Sequence, residues 1–384
     1  MNILINFSTI KKGGGQNVAI NFLLSLKQIE LKDKLMFVVS KGSPIDKLTS
    51  TLNFKCIQFS SNPILRIFQE VLILPKIISD NAINIVYSYF GYTLLNKKKY
   101  IQVSGIAVSN IFFPEIDFWS EYKGFQLLKR KIIDLYRIKG VQRAHGLIFE
   151  NEGLKIRASK LYGVCENQTS YILPSVNRIT NTDNNSDFTQ KNRLLSKKVR
   201  LLFLCGWQLN KNVLKIPELA YELSKNELNF EIVLTAPKDN SNIHKEFSFR
   251  VEQFGVKEFI NHIGSVEKIN LPQLYQSINF VMLLSKLESF SNNIIEAWFY
   301  KRILVITDSE WSKSICDKSA IYVDRNNTIK IAEVIQSITS FENLETKRVV
   351  LNGIEKLKQF PTIEEKTKLE FAFIEKIHER SKII

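Results

Sequence analysis

Two glutamates, Glu288 and Glu296, frame the stretch 280–308, FVMLLSKLESFSNNIIEAWFYKRILVITD. Glu288 lies in a polar run without helical period, and Glu296 lies where the pattern predicts the first turn of a helix. A loop carboxylate and a first-turn carboxylate can face one crevice, with free backbone N–H groups between them. Carboxylates suit hydroxyl-rich ligands, because each accepts hydrogen bonds from vicinal OH pairs. Taken singly, each has a plainer role. Glu296 would complement the helix dipole, worth about 0.3–1 kcal/mol, and Glu288 would be a solvated loop acid. Lys211, in CGWQLNKN at residues 205–212, reads on its own as a solvated loop lysine. Far upstream, Gly13-Gly14-Gly15 follows an apolar run and precedes a helical period. Such a junction lets backbone N–H groups approach a phosphate. It is not GxGxxG and it lacks a Walker lysine, so a flexible turn is an equal reading.

These residues need elements to hold them. The apolar run 280–284 predicts a buried parallel strand, 285–293 a loop, Asn292 or Asn293 an N-cap, 294–299 a helix and 302–307 a returning strand. That crossover sets both acids at the carboxyl edge of a parallel sheet, where open α/β sheets bind ligands. Before it, 1–7 predicts a strand, 8–15 a loop and 16–29 an amphipathic helix. Strands are expected at 35–39, 83–88, 100–103, 146–150 and 171–175, with helices at 64–79, 126–139 and 152–162. A second β/α series opens at 199–204, with a helix at 214–223, strands at 230–234 and 259–263, and a short helix at 270–276. Between the two series, 177–191 is polar and aperiodic and reads as a linker. The stretch 363–378 predicts a closing helix.

Composition bounds the rest. A chain of 384 residues with 45% hydrophobic and 24% charged residues predicts about two domains with sizeable cores. No apolar run approaches the ~18 residues of a spanning helix, so a cytoplasmic protein is expected. Cys56, Cys165, Cys205 and Cys316 show no CxxC spacing and read as reduced thiols. His145, His244, His262 and His378 are too scattered for a metal site, and no bound metal is expected. Net charge is +15, with 24 basic against 14 acidic residues in 1–190 and 29 against 24 beyond. A basic first half fits an anionic membrane surface, as does the basic helix with Lys129, Arg130, Lys131, Arg137 and Lys139. It would also fit nucleic acid, but aromatic–basic interleaving of that type is missing. A basic proteome accounts for the charge equally well. The run 97–99, KKK, reads as a solvated turn.

The wording E-S-F-S-N-N-I-I-E-A resembles the Glu-x7-Glu signature of retaining, GT-B-fold glycosyltransferases of group 1 (GT4), of the bacterial surface-polysaccharide type. Glu288, Phe290, Glu296 and Ala297 carry the match, while Ser289, Ser291 and Asn293 stand where glycine, glycine and proline are usual. The resemblance implies an α/β GT-B fold, two Rossmann-like β/α/β domains facing across a cleft. Residues 1–178 would be the acceptor-side domain together with a crossover helix, 362–384. Residues 179–197 would be the linker, and 198–361 the nucleotide-sugar donor domain.

It also implies roles. Glu288 and Lys211 would be catalytic, with Glu288 on the donor sugar hydroxyls and Lys211 on the diphosphate. Glu296 would bind the ribose hydroxyls, and the backbone of Phe290, Ser291, Asn292 and Asn293 would position the sugar. Gly14 and Gly15 would let the first domain close over it. The substrates implied are a UDP- or GDP-linked sugar as donor and a glycan or lipid-linked acceptor. No cofactor, metal or nucleic acid is implied, and peripheral contact with anionic inner-membrane lipid is. Two family features are replaced. Trp207-Gln208 stands where an Arg of the diphosphate clamp is usual, and Ser104-Gly105 where a loop histidine is usual. Asp317-Lys318 likewise replaces a common Gly-Asp. The alternatives are a non-catalytic basic module of the same fold, binding membrane or nucleic acid, and a related sugar-nucleotide epimerase.

Overall fold

A computed structural model describes residues 1–11, 13–28, 34–92, 100–176, 198–226, 228–340 and 344–381. The linker expected at 179–197 and the basic turn at 97–99 lie outside these residues. The chain divides into two compact units, Met1–Arg178 with Phe360–Ile384, and Ile179–Gln359.

The first unit is built on a seven-stranded parallel sheet in the order β3-β2-β1-β4-β5-β6-β7. Its strands are β1 (Ile3–Asn6), β2 (Leu35–Ser40), β3 (Cys56–Phe59), β4 (Ile85–Ser88), β5 (Ile101–Ile106), β6 (Gly146–Phe149) and β7 (Thr169–Tyr171). Its helices before the second unit are α1 (Gly14–Ser25), α2 (Pro44–Thr51), α3 (Pro63–Phe68), α4 (Leu74–Asp80), α5 (Gly124–Arg143) and α6 (Glu152–Tyr162). The strands are continuous apolar runs because helices cover both faces. Ile3, Leu4 and Ile5 of β1 are all fully buried, and β1 pairs in register with β2 through Ile3–Leu35 and with β4 through Ile3–Ile85.

The second unit has a six-stranded parallel sheet, β10-β9-β8-β11-β12-β13. Its strands are β8 (Val199–Phe203), β9 (Phe230–Leu234), β10 (Ile260–His262), β11 (Phe280–Leu283), β12 (Ile303–Thr307) and β13 (Ile321–Val323). The helices are α7 (Ile216–Ser224), α8 (Asn242–Phe254), α9 (Leu271–Gln276), α10 (Asn292–Phe299), α11 (Glu310–Cys316), α12 (Thr328–Ser340) and α13 (Leu344–Leu357). Trp298 of α10 is fully buried and its Nε1 donates to Ser319 O at 2.9 Å. Gly353 of α13 makes room for it, since a Cβ there would lie 2.3 Å from the indole ring. The helix that carries Glu296 is thereby fixed on its sheet.

The last helix, α14 (Ile363–Ser381), belongs to the first unit. Phe371, Phe373, Ile374 and Ile377 enter that unit's core beside Phe22 and Tyr89. A buried pair anchors it: Lys366 Nζ donates to Glu370 Oε1 at 2.6 Å and to Tyr89 Oη at 3.2 Å.

Several sequence expectations shift. The helix after the first strand starts at Gly14, so Gly14 and Gly15 form its first turn rather than a loop. Gly13 precedes it with φ 78°, a conformation only glycine adopts without strain. The helix expected at 64–79 is α3 and α4 joined through a π-helical turn, Gln69–Ile73. Ser104 and Gly105 lie inside β5, not in a loop. A Cβ on Gly105 would sit 2.0 Å from Tyr89 O, so the close approach of chain to chain explains the glycine. The strand expected at 171–175 is the earlier β7. Missed altogether were β3, β13, α2, α8, α11, α12 and α13.

Candidate active site

In an open α/β sheet, ligands bind beyond the carboxyl ends of the strands where strand order reverses. In the second unit that point lies between β8, from which the order runs outward to β9 and β10, and β11, from which it runs to β12 and β13. The two strands are neighbours, with Phe280 opposite Leu201. The loops that leave them hold Lys211 and Glu288, and they are tied together. Lys286 N donates to Asn210 O at 2.6 Å, and Asn293 Nδ2 donates to Leu204 O at 2.9 Å. Trp311 Nε1 holds the second loop from behind, on Lys286 O at 3.2 Å.

This framing brings Lys211 Nζ onto Glu288 Oε1 in a short ion pair. The side chains are only 22% and 13% exposed, so the pair is partly withdrawn from solvent. An ammonium has three donors and a carboxylate about four acceptor sites, so both partners keep capacity for a ligand. Asn212 shapes the loop after Lys211: its φ is 62°, and its Nδ2 donates to Arg325 O at 2.6 Å.

Glu296 is separate from that pair. Its Oε2 accepts from Tyr275 Oη of α9 at 2.6 Å. Burial raises the pKa of the carboxyl above the ordinary glutamate range, against the lowering effects of the Tyr275 hydrogen bond and the Lys268 charge. Burial, and then the Glu296 charge, push the Tyr275 phenol well up. Tyr275 is a site residue that sequence reasoning missed. Its only signal is its place in a short helix ahead of β11.

Helix α10 opens at Asn292 with Ser291 as N-cap, not Asn292 or Asn293 as the sequence suggested. Ser291 gives no side-chain cap bond. Ile294 N bonds Ser291 O at 3.0 Å, which leaves the amides of Asn292 and Asn293 without intrahelical acceptors. Asn293 is buried by its tie to β8, whereas Asn292 is exposed. Phe290 and Ser291 complete the turn between Glu288 and the helix.

Trp207 explains the lost arginine in physical terms. Its ring stacks on His244 at 4.6 Å and packs against Phe247 and His262 at 5.3 and 5.5 Å. Its Nε1 donates to Pro237 O at 2.6 Å. The position is core, and it presents no cation. Gly14 and Gly15 lie at the reversal point of the other sheet, between β1 and β4. There Thr9 Oγ1 donates to Phe90 O at 2.8 Å, and a Cβ on Gly15 would lie 3.3 Å from the Phe90 ring. Among the described residues, no group of three or more His, Cys, Asp or Glu is gathered to hold a metal.

Comparison with known proteins follows the same geometry. Residues 166–349 match the family model of glycosyl transferases group 1. The resemblance drawn from Glu288 to Ala297 is borne out, and Lys211, Tyr275 and Glu296 also fall in the group 1 segment. Among solved structures, Anabaena HepE in complex with UDP is similar over 98% of this chain and 100% of its own, at 14% identity and TM-score 0.70. Sucrose-phosphate synthase from Thermosynechococcus elongatus matches over 99% and 100%, at 11% identity and TM-score 0.73. WaaG, a glycosyltransferase involved in lipopolysaccharide biosynthesis, matches over 96% and 98%, at 13% identity and TM-score 0.66. At these identities the likeness establishes the fold, which is the GT-B architecture. No curated protein matches the sequence.

Proposed function

We propose that the chain is a retaining glycosyltransferase that moves a sugar from a nucleotide-diphosphate sugar to an acceptor hydroxyl. The observation that carries the reading is the Lys211–Glu288 pair at the reversal point of the second sheet, beside the uncapped start of α10. A leaving diphosphate gathers negative charge, and an ammonium together with helix amides stabilises it. Glu288, held by Lys211, accepts from donor sugar hydroxyls, and Glu296 accepts from the ribose. The bond from the sugar to the diphosphate breaks, the acceptor oxygen bonds the same carbon, and its proton passes to the leaving phosphate. No carboxylate is assigned as nucleophile, because this reading uses Glu288 and Glu296 as hydrogen-bond acceptors. The proposed reaction needs no metal and no cofactor beyond its donor. UDP is the donor nucleotide we favour, since HepE is described with UDP and with UDP-glucose. The acceptor we propose is a glycan or lipid-linked hydroxyl of a bacterial surface polysaccharide, reached from the cytoplasmic face of the inner membrane.

A thermal-shift screen with UDP, GDP, ADP, CMP and their sugar conjugates tests this. A ligand at ~100 times its dissociation constant adds about 2.7 kcal/mol. One nucleotide should stabilise the wild type, and Lys211→Ala and Glu296→Ala should weaken the effect. If nothing shifts the wild type at millimolar nucleotide, the donor reading fails and a non-catalytic module of the same fold takes its place.

A further inference from the structure

The two carboxylate oxygens of Glu296 are used differently. Oε2 accepts from the Tyr275 hydroxyl at 2.6 Å, the length of a hydrogen bond to an ionised acceptor. Oε1 has no hydrogen-bond partner among the described residues, and it is not sealed off, since the side chain is only half-buried. A carboxylate has about four acceptor sites, so most of this one's capacity is left for a ligand.

Tyr275 is itself immobile. It is fully buried, and its ring stacks on Tyr300 with centroids 4.7 Å apart and planes 12° apart. Tyr300 meets Phe299 edge-on at 4.9 Å. Its amide bonds Glu296 O at 2.9 Å, so Glu296 and Tyr300 stand one turn apart on one face of α10. Tyr275 lies across that face, its ring on Tyr300 and its hydroxyl on Glu296. In sequence it precedes β11, the Glu288 loop and α10, so the crossover is closed on itself at this point. The two acids are therefore held by different means. Lys211 meets Glu288 with an opposite charge. Tyr275 meets Glu296 with a neutral donor, which fixes the carboxylate and leaves its negative charge for a ligand. Burial and the Glu296 charge keep the phenol protonated, and so a donor.

We propose that Tyr275 is a positioning residue for nucleotide recognition: its hydroxyl holds Oε2 of Glu296 so that Oε1 meets a ribose hydroxyl in one fixed orientation. This role rests on the ribose contact proposed above for Glu296. Being fully buried, Tyr275 acts only through Glu296. A free glutamate must give up rotamer freedom when it aims at a hydroxyl. Here that freedom is already lost before the nucleotide arrives, which is preorganisation. Discrimination between ribonucleotides and deoxyribonucleotides then belongs to the pair and not to Glu296 alone.

The test is calorimetric binding of UDP, 2′-deoxy-UDP and 3′-deoxy-UDP to the full chain, as wild type, Tyr275→Phe, Glu296→Gln and the double variant. The wild type should prefer UDP to at least one deoxy analogue by about tenfold. Tyr275→Phe should cut that preference to about threefold or less. Glu296→Gln should abolish it, and Tyr275→Phe should add nothing further in the double variant. Phenylalanine keeps the ring and its stack on Tyr300, and a melting curve checks the fold. The preference is a ratio within one variant, so a general loss of stability does not mimic it.

The pH profile supplies a readout that a purely structural tyrosine would not move. The titratable or charged groups acting on Glu296 are Tyr275, Tyr300 and Lys268. The Tyr275 hydrogen bond favours the ionised carboxylate. Without it, UDP affinity should begin to fall at a higher pH on acidification than in the wild type. If Glu296→Gln abolishes the preference while Tyr275→Phe keeps both the preference and the pH midpoint, the positioning role is overturned and the ribose contact stands. Effects that add in the double variant overturn it as well. If Glu296→Gln leaves the preference intact, or the wild type shows none, the ribose contact fails and takes this role with it.

Discussion

The two sheets share one plan and differ where their strand order reverses. At the β8–β11 end the second unit carries an ion pair, a half-buried carboxylate with a raised pKa and a helix start without a side-chain cap. Between β1 and β4 the first unit carries Gly13, two helical glycines and the Phe90 ring. One crevice is built to exchange hydrogen bonds and charge with a ligand. In the other, the chain approaches its own Phe90 ring, which a Cβ on Gly15 would meet at 3.3 Å. The same topology therefore supplies a position, and the loops leaving the strands supply the chemistry. The glycosyltransferase reading rests on the charged crevice alone.

Four substitutions separate the two. The largest effect should come from Trp207→Arg, which restores the cation usual in the group 1 family. Because Trp207 fills a packed aromatic site, losing it costs about 3–5 kcal/mol, and the new charge would be buried. The melting temperature should fall sharply with no gain in donor affinity; a gain would show that the site tolerates a clamp. Next, Lys211→Ala should lower kcat by about 10²–10³ in a donor-turnover assay, and it leaves Glu288 partly buried without its partner.

Glu296→Gln should weaken nucleotide binding by about 1.5–3 kcal/mol, measured by calorimetry. Its pH dependence is the sharper test. The raised pKa means that the ionised form is lost at a higher pH than for an ordinary glutamate. Wild-type affinity should therefore fall as pH drops through that raised value. Stability should respond in the opposite sense: the burial cost arises only once Glu296 is charged, so stability is lost as pH rises through the same value. Glu296→Gln should flatten both profiles. The smallest effect belongs to the glycine crevice. Gly13→Ala forces an L side chain to φ 78° and should cost about 1–2 kcal/mol, seen in the melting temperature, while nucleotide affinity stays unchanged. A loss of nucleotide affinity there would break the division between the crevices.

Strands were legible where burial on both faces left uninterrupted apolar runs, as in 1–7, 35–39, 199–204 and 280–284. They were not legible where a strand is short and half exposed. Cys56–Phe59 has only four residues, one of them buried, and lies at a sheet edge, and Ile321–Val323 has only three residues. Glu288 and Glu296 could be singled out from local pattern and Lys211 through the family resemblance, but Glu296 lies beyond the first turn, because α10 opens at Asn292, two residues before the expected 294. The pairing of Lys211 with Glu288 could not be singled out, since the two meet only through the ties from Lys286 to Asn210 and from Asn293 to Leu204. Tyr275 and the aromatic box around Trp207 were hidden for the same reason: an isolated tyrosine or tryptophan carries no periodicity. The lysines and arginines of α5 looked alike in sequence, and only the structure separates Arg130, over the Tyr122 and Trp119 rings at 3.6 and 4.6 Å, and Arg137, on Asp134 at 2.9 Å.

Helix α14 has a consequence for how the chain is made. It completes the first unit, yet it follows the whole of the second in sequence. A ribosome adding roughly 5–20 residues per second needs about 10–40 s to traverse the intervening ~180 residues. Throughout that interval the slot around Phe22 and Tyr89 awaits Phe371, Phe373 and Ile374, and the polar partner of Tyr89, Lys366, does not yet exist. The first unit must wait on the ribosome with part of its core open, while the second unit can fold as soon as it emerges. Birth order and assembly order are thereby reversed, and the interval is one in which a chaperone would find its substrate.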